Sequence, residues 1–238
     1  MNTREAIKFV LIRSLGNFLF LMSLYGVVMT FGPALYYEAQ YRIMQVRGIT
    51  FKVSSMKHEV SSIQNTKYEI PNTETLDFAS ILAGSKEQIL VPEDTTFSIV
   101  IPKIGASARV YPNIDASNPD EFLPVLKHGV AHAKGTVFPG MPGNTYLFAH
   151  SADNWWDVGR YNAVFYLLKN LQKGDEVTVF FEDVRYEYVV SETLIAEPDD
   201  VTLLKAGRET PQLVLQTCWP PGTTLKRQFV VATPKTSI

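Results

Sequence analysis

The clearest pattern along this chain is an uncharged apolar segment close to the N-terminus. Residues 14–37 contain no charged side chain and consist largely of Phe, Leu, Val, Met and Gly. A helix needs about 20 apolar residues to cross the hydrocarbon core of a bilayer, so this segment predicts a single transmembrane anchor after a short N-terminal segment, residues 1–13. Tyr36 and Tyr37 lie where interfacial aromatic residues are expected.

Basic residues on both sides give the anchor a modest directional bias. Arg4, Lys8 and Arg13 precede it and Arg42 and Arg47 follow it, which favours a cytoplasmic N-terminus and an extracytoplasmic remainder in the cell membrane. Two alternatives are a cleaved signal peptide and a buried core helix. Both have a shorter apolar run, and no small-residue cleavage site is clear here, so we adopt the uncleaved single-pass anchor.

The rest of the chain consists of a polar segment and a region of short strands. Residues 38–94 are rich in Ser, Thr, Asn, Lys and Glu and predict a partly helical stalk or linker. From residue 95 onward, apolar runs recur between turn signals, which predicts strands at 97–102, 108–111, 145–149, 176–181, 185–190, 213–218 and 228–232 and helices near 117–128 and 161–171. This pattern is typical of a mostly-β barrel or sandwich over residues 95–238.

Composition excludes some functions and isolates one thiol. Lys and Arg (22) nearly balance Asp and Glu (24), and no basic patch indicates binding to nucleic acid. The chain has one cysteine, Cys218, at the end of a predicted strand. A lone thiol in an exported domain forms no intramolecular disulfide and is a candidate nucleophile, although a free cysteine also packs as a small apolar residue.

Two histidines are candidates for the partner of this thiol, because a cysteine nucleophile needs a group that takes its proton. His150 ends a predicted strand and begins a polar loop, where a rigid scaffold presents side chains to a cleft. His132 lies in a glycine-rich turn and stays open as the second candidate. Arg227 fits a role at an oxyanion, although a solvated surface charge is the simpler interpretation of one arginine.

Taken in order along the chain, these residues carry a resemblance to a known family. The sequence Leu-Gln-Thr-Cys at residues 215–218, followed by Arg227, resembles the sortase motif, a Leu-x-Thr-Cys strand with a downstream arginine. Ala149 takes the place of the more usual glycine before His150. Further segments that resemble the family in the same order are 101–105, 129–132, 139–145, 171–175, 186–190 and 197–200.

The resemblance implies a sortase-like closed β-barrel of about eight strands with short helices, and the activity of a cysteine transpeptidase. In this assignment Cys218 is the nucleophile, His150 the general acid and base, and Arg227 the cation that holds the oxyanion or positions the substrate. The implied substrate is a secreted protein with an LPxTG-like C-terminal sorting signal. Its acyl group passes through a thioester to an amine of the cell envelope.

Further candidates for contact with the peptide lie close to these three residues. Thr217 precedes the thiol, Trp219 begins a proline-rich loop after it, and Trp155 follows His150. The resemblance places His132 outside the catalytic set, with a structural or a substrate-lining role.

The resemblance implies no cofactor and no metal ligand, with calcium as the one alternative. Asp115, Asp120 and Glu121 lie near a position where some sortases bind calcium. The same residues equally form a charge cluster at a helix N-terminus.

Three functions stay open at this stage. The first is the attachment of proteins to the envelope, and the second is the polymerisation of pilin subunits with a lysine amine as acceptor. The third is of another class, a non-catalytic membrane-anchored β-barrel that binds peptides.

Overall fold

The computed structural model describes residues 3–54, 87–151, 164–205 and 209–235, and it begins with one long helix, α1 (Thr3–Arg47). Within α1, Thr3–Met29 is long and apolar enough to cross a membrane, with a mean hydropathy of 1.6, and 0% of its most apolar window is buried against the protein. This is consistent with one N-terminal membrane anchor, and the span overlaps the predicted residues 14–37 over 14–29. The helix continues beyond that segment, because Glu38, Arg42 and their neighbours keep the helical conformation.

Two short strands follow α1 in the region that the sequence predicted as a stalk. β1 (Thr50–Val53) and β2 (Glu87–Leu90) pair in parallel and form a small separate sheet. The Phe51 ring packs against Gly105, where an added Cβ would lie 3.1 Å from the ring. The part of the predicted stalk at 55–86 lies outside the described residues.

Eight strands close a barrel in the order β10-β8-β7-β3-β4-β5-β6-β9. The pairs β4–β5 and β6–β9 are parallel and the others antiparallel. The predicted closed barrel is therefore confirmed. Its strands are β3 (Phe97–Ile101), β4 (Ala106–Ile114), β5 (Val130–Ala133), β6 (Gly143–Phe148), β7 (Glu176–Phe181), β8 (Val184–Ala196), β9 (Pro211–Trp219) and β10 (Lys226–Pro234).

Short helices connect the strands. The predicted helix near 117–128 is α2 (Pro119–Leu126), which begins after Asn118, whose side chain accepts a hydrogen bond from the Asp120 amide at 3.2 Å. A second short helix, α3 (Thr202–Lys205), precedes β9. The predicted helix over 161–171 is in its described part a 3₁₀ helix, Tyr166–Asn170, and another 3₁₀ helix spans Pro102–Ile104.

The barrel wall separates two apolar clusters, because successive side chains of a strand point to opposite faces. The inner cluster draws on every barrel strand and includes Leu147 of β6 and Leu215 of β9. The outer cluster contains Tyr146, Val214 and Phe229, and side chains of α2 and α3 pack against it. Position along β6, β9 and β10 therefore decides which face a side chain occupies.

The end of α1 docks on the barrel through the 3₁₀ helix Tyr166–Asn170. The ring centroids of Tyr37 and Tyr166 are 6.2 Å apart, and Lys169 Nζ lies 2.9 Å from Glu38 Oε2. The hydrogen bond from Lys169 is the main cause that lowers the pKa of Glu38. A cavity of about 530 Å³ opens beside this contact, with Met44 in its wall.

Candidate active site

Cys218 and Arg227 lie directly opposite each other on neighbouring antiparallel strands. The register of β9 and β10 pairs Cys218 with Arg227 and Gln216 with Phe229. Residues directly opposite in an antiparallel pair share one face, with Cβ atoms about 5 Å apart. The hairpin between β9 and β10 thus brings the thiol and the guanidinium together from separate positions in the sequence.

His150 joins these two residues from the third strand, β6. β6 pairs in parallel with β9, and Phe148 lies opposite Gln216. The Ala149 amide donates to the Gln216 carbonyl at 3.2 Å, which extends the ladder beyond the end of the strand. Continued by two residues beyond the end of the strand, the same register would set His150 opposite Cys218.

Cys218 and Arg227 lie on the outer face of the barrel, and continued alternation after β6 would put His150 on the same face, so we call these three residues the row. Each residue has the same parity along its strand as a member of the outer apolar cluster, Phe148 on β6, Val214 on β9 and Phe229 on β10. All three residues of the row are half-buried, so the thiol is not enclosed in the core. The described strands thus set Cys218 opposite Arg227, and His150 follows the end of the strand that pairs with β9 on its other side.

The guanidinium of Arg227 is held by the loop that connects β9 to β10. Its Nη1 donates to the carbonyls of Thr224 and Lys226, each at 3.2 Å. These bonds engage one of the three guanidinium nitrogens, and a guanidinium carries five N–H donors in all. The loop therefore orients the guanidinium. Its other N–H groups are of the kind that can donate hydrogen bonds to an oxyanion.

Thr217 lies next to the thiol but on the inner face. Its side chain is 2% exposed, and its hydroxyl donates to the Ala149 carbonyl at 3.0 Å. This bond ties β9 to the segment that carries His150. The side chain of Thr217 therefore has a partner inside the barrel and does not make the predicted contact with a peptide. A contact between the peptide and the backbone of Thr217 stays a prediction.

Two tryptophans, Trp219 and Trp155, were predicted to contact the peptide. Trp219 is the last residue of β9, pairs with Lys226 and is half-buried, so its side chain is accessible from solvent. Its peptide bond to Pro220 is cis. Trp155 lies outside the described residues.

His132 points to the interior of the barrel. It is 0% exposed, its Nδ1 accepts a hydrogen bond from the Asn113 amide at 3.3 Å, and its Nε2 donates to the Val137 carbonyl at 3.1 Å. The ring stacks on Phe138 at a centroid distance of 4.7 Å, and burial lowers the pKa of the imidazole. Of the two roles that the resemblance left open, this environment favours the structural one.

Sequence reasoning missed two residues that pack under the row, Tyr146 and Gln216. The Tyr146 hydroxyl donates to Gln216 Oε1 at 2.5 Å, and its ring contacts Phe229 at a centroid distance of 6.4 Å. Burial raises the pKa of Tyr146, so the phenol stays a donor. The signal that could have identified Tyr146 is strand alternation, because an even number of positions separates Tyr146 from His150.

The acidic residues near α2 serve the local backbone. Asp115 accepts hydrogen bonds from the Ser117 amide at 2.8 Å and from its hydroxyl at 2.6 Å, which lowers the pKa of the carboxyl. Glu121 accepts from the Asp115 amide at 3.0 Å. Within residues 3–54, 87–151, 164–205 and 209–235, no group of three or more His, Cys, Asp or Glu side chains is arranged to hold a metal ion.

Comparison with known proteins matches this architecture. A model of the sortase domain matches residues 99–235. Sortase D of Bacillus subtilis (strain 168) is 28% identical over 120 residues, which are 50% of this chain and 52% of the relative. The chain thus matches about half the length of that curated relative.

Solved structures agree with the fold. Sortase C-1 from Actinomyces oris has a TM-score of 0.51 at 25% identity, over 61% of this chain and 76% of that chain. A lid mutant of sortase A from Corynebacterium diphtheriae has a TM-score of 0.50 at 23% identity, over 61% of this chain and 72% of that chain. At this identity the second similarity shows the fold alone.

Proposed function

Because the chain belongs to the sortase family, we propose that it cleaves an LPxTG-like sorting signal and transfers the acyl group to an amine of the cell envelope. The observation that carries this proposal is the row on the outer face. Cys218 lies directly opposite Arg227 in the strand register, and His150 follows the end of β6, the strand that pairs with β9 on its other side. A nucleophile, a proton carrier and a fixed cation are the groups that acyl transfer through a thioester needs.

In the first half-reaction the Cys218 thiolate attacks the scissile carbonyl. The C–S bond forms, the carbonyl π electrons move to oxygen, and Arg227 stabilises the oxyanion with N–H donors. The oxyanion then re-forms the carbonyl, the C–N bond breaks, and the His150 imidazolium gives its proton to the leaving amine. The products are a thioester on Cys218, a neutral imidazole and the released C-terminal fragment.

In the second half-reaction an acceptor amine attacks the thioester. His150, now neutral, takes a proton from the amine as the C–N bond forms, and the Cys218 thiolate leaves when the tetrahedral intermediate collapses. The thioester keeps the acyl group activated, so no outside energy source is needed. Water competes as an acceptor, which makes hydrolysis the default side reaction.

The location that we propose follows from α1. With the apolar span Thr3–Met29 in the cell membrane and the N-terminus in the cytoplasm, the barrel lies on the extracytoplasmic side. The proposed partners are secreted proteins that carry a sorting signal and an envelope component that supplies the amine.

A thioester assay with the full chain in detergent tests the proposal. Incubation with a library of sorting-signal peptides should give an acyl-enzyme visible as a mass increase on Cys218, and hydroxylamine should release it. Cys218→Ala should abolish the adduct, and Arg227→Ala should slow its formation by about 10²–10³-fold. Arg109→Ala is the matched control, because Arg109 lies on β4 and forms an ion pair with Asp94, 3.1 Å between Nε and Oδ2.

The choice of acceptor then separates the remaining alternatives. Glycine peptides and a pilin-like lysine, offered in parallel, distinguish attachment to the envelope from polymerisation of pilin subunits. If the wild-type chain binds peptides but forms no thioester with any of them, it is a peptide-binding barrel and the transpeptidase proposal is wrong.

A further inference from the structure

Ser151, the residue after His150, is bonded to the loop that follows the thiol. Its side chain is 2% exposed, and its Oγ accepts a hydrogen bond from the Gly222 amide at 3.2 Å. Gly222 has a φ of 80°, a conformation that side-chain-bearing residues rarely adopt, so its amide direction depends on glycine at this position.

The loop that Ser151 holds is the same loop that holds Arg227. The Thr223 amide and hydroxyl both donate to the Pro220 carbonyl, at 3.0 Å and 2.8 Å. One residue further on, the Thr224 carbonyl accepts from Arg227 Nη1 at 3.2 Å. A displacement of this loop would therefore move the guanidinium as well as the partner of Ser151.

The backbone of His150 is thus fixed on both sides. On one side, Ala149 donates to the Gln216 carbonyl and accepts from the Thr217 hydroxyl, both on β9. On the other side, Ser151 meets the loop between β9 and β10. The Ala149 bonds continue a strand ladder, whereas the Ser151 bond is a single contact from outside any strand.

We propose that Ser151 is a positioning residue for the acid–base step, and this inference rests on the proposed function. Its hydroxyl joins the histidine segment to the loop of the cation, so that His150 and Arg227 keep a common geometry around the thiol. General acid catalysis requires the imidazole within hydrogen-bond reach of the leaving nitrogen, about 3 Å, so a small displacement slows proton transfer. Without the hydroxyl, the step that protonates the leaving amine slows, while peptide binding and the thiol itself stay intact.

The test compares two reactions of Cys218 in the full chain. Acylation by a sorting-signal peptide needs a proton for the leaving amine. Alkylation by iodoacetamide releases iodide and needs none, and at about pH 9.5 most of an ordinary thiol is already thiolate. For Ser151→Ala we expect single-turnover acylation to fall about tenfold, the worth of one hydrogen bond, with the peptide concentration at half-maximal rate and the alkylation rate unchanged.

Three further variants make the comparison specific. Ser151→Thr keeps the hydroxyl and should recover most of the acylation rate. Thr223→Ala removes the hydroxyl that donates to the Pro220 carbonyl in the same loop, and should produce a smaller fall in the acylation rate. This variant takes the place of Ser151→Ala in the comparison if Ser151→Ala does not fold. Ser98→Ala is the matched control, because Ser98 is also buried and its hydroxyl also makes one hydrogen bond to the backbone, which it donates to the Asp94 carbonyl at 2.6 Å.

The outcomes separate the inference from the proposed function. Equal acylation rates in Ser151→Ala, Ser98→Ala and the wild type overturn the positioning role and leave the transpeptidase intact. A parallel loss of acylation and alkylation, matched by a lower melting temperature, also overturns it, since that is a general loss of structure. Absence of a thioester in the wild type would remove the proposed function itself.

Discussion

His132 and His150 lie close to each other in the sheet and have opposite surroundings. His132 is near the end of β5 and faces the barrel interior, where both ring nitrogens have hydrogen-bond partners and the ring is stacked on Phe138. His150 follows the end of β6, the strand that pairs with β9, and is half-buried. The glycines around His132 predicted a turn, whereas the structure places His132 within the strand β5.

The difference shows what a proton carrier requires. The Nδ1 of His132 accepts from a backbone amide, which has its own hydrogen fixed, so the neutral tautomer with hydrogen on Nε2 is built into the fold. A ring held in this way connects strands and cannot exchange protons with a substrate. Access from solvent, which His150 has, and a neighbouring nucleophile are the features that distinguish a candidate acid–base group.

The largest expected effect is the loss of activity in His150→Ala. Removal of the proton carrier should lower kcat/KM for peptide cleavage by about 10²–10⁴-fold, the usual contribution of one general acid–base group. The measurement is cleavage of a fluorogenic sorting-signal peptide by the full chain. His128→Ala is the matched control, since His128 is exposed just after α2. Turnover at the wild-type rate in His150→Ala would remove His150 from the site.

His132→Ala should change stability instead of catalysis. The replacement leaves a cavity beside Phe138 and removes the partners of the Asn113 amide and the Val137 carbonyl, at a cost of about 2–4 kcal/mol in the free energy of unfolding. Denaturant unfolding followed by near-UV circular dichroism measures it. The acylation rate per folded molecule should stay within about twofold of the wild type. A large loss of acylation in a fully folded variant would contradict the contrast between the two histidines.

The smallest expected effect is a dependence of stability on pH that originates at His132. Burial lowers the pKa of this imidazole in the folded state from the ordinary 6.5, so the unfolded chain binds more protons between that value and the folded one. The stabilising contribution is therefore complete above about pH 7.5 and declines as the pH falls through 6.5. We expect the melting temperature of the wild type to decrease from pH 7.5 to pH 5.5.

The variant His132→Phe should lose part of this decrease, because phenylalanine keeps the aromatic packing and binds no proton. His128→Ala should retain the decrease in full. The idea is wrong if His132→Phe and the wild type follow the same curve over this pH range.

The strands of the barrel were readable from the sequence because each carries a run of β-branched and aromatic residues between turn signals. Phe97–Ile101 and Glu176–Phe181 appear at the predicted positions for this reason. β1 and β2 were missed, since both are short and largely exposed within a polar region, and their pairing depends on a contact distant in sequence. β5 was also missed, because its four residues follow Gly129 and were interpreted as part of a glycine-rich turn. The 3₁₀ helix Tyr166–Asn170 was predicted as α-helical, because apolar spacing alone does not separate these two forms.

The sequence indicated the three candidate catalytic residues but not the neighbouring residues that support them. Cys218, His150 and Arg227 stand at strand ends or within a recognisable motif, and the register of β9 and β10 sets Cys218 opposite Arg227. Ser151 and Tyr146 gave no such signal, because one hydroxyl that accepts from a loop amide leaves no periodic trace in a sequence. The inward direction of Thr217 follows from alternation along β9 once the outward direction of Cys218 is known.

The docking of α1 on the barrel has a consequence for reach. With Thr3–Met29 inserted in a bilayer, the contact at Tyr37 and Glu38 comes only about 12–14 Å of helix later. The barrel would then lie close to the lipid surface, connected to the membrane by a short stretch of helix instead of a long linker. Polypeptides whose scissile bond lies just above the lipid headgroups would then reach the candidate site directly. Those whose scissile bond lies far from the membrane would have to fold back toward it.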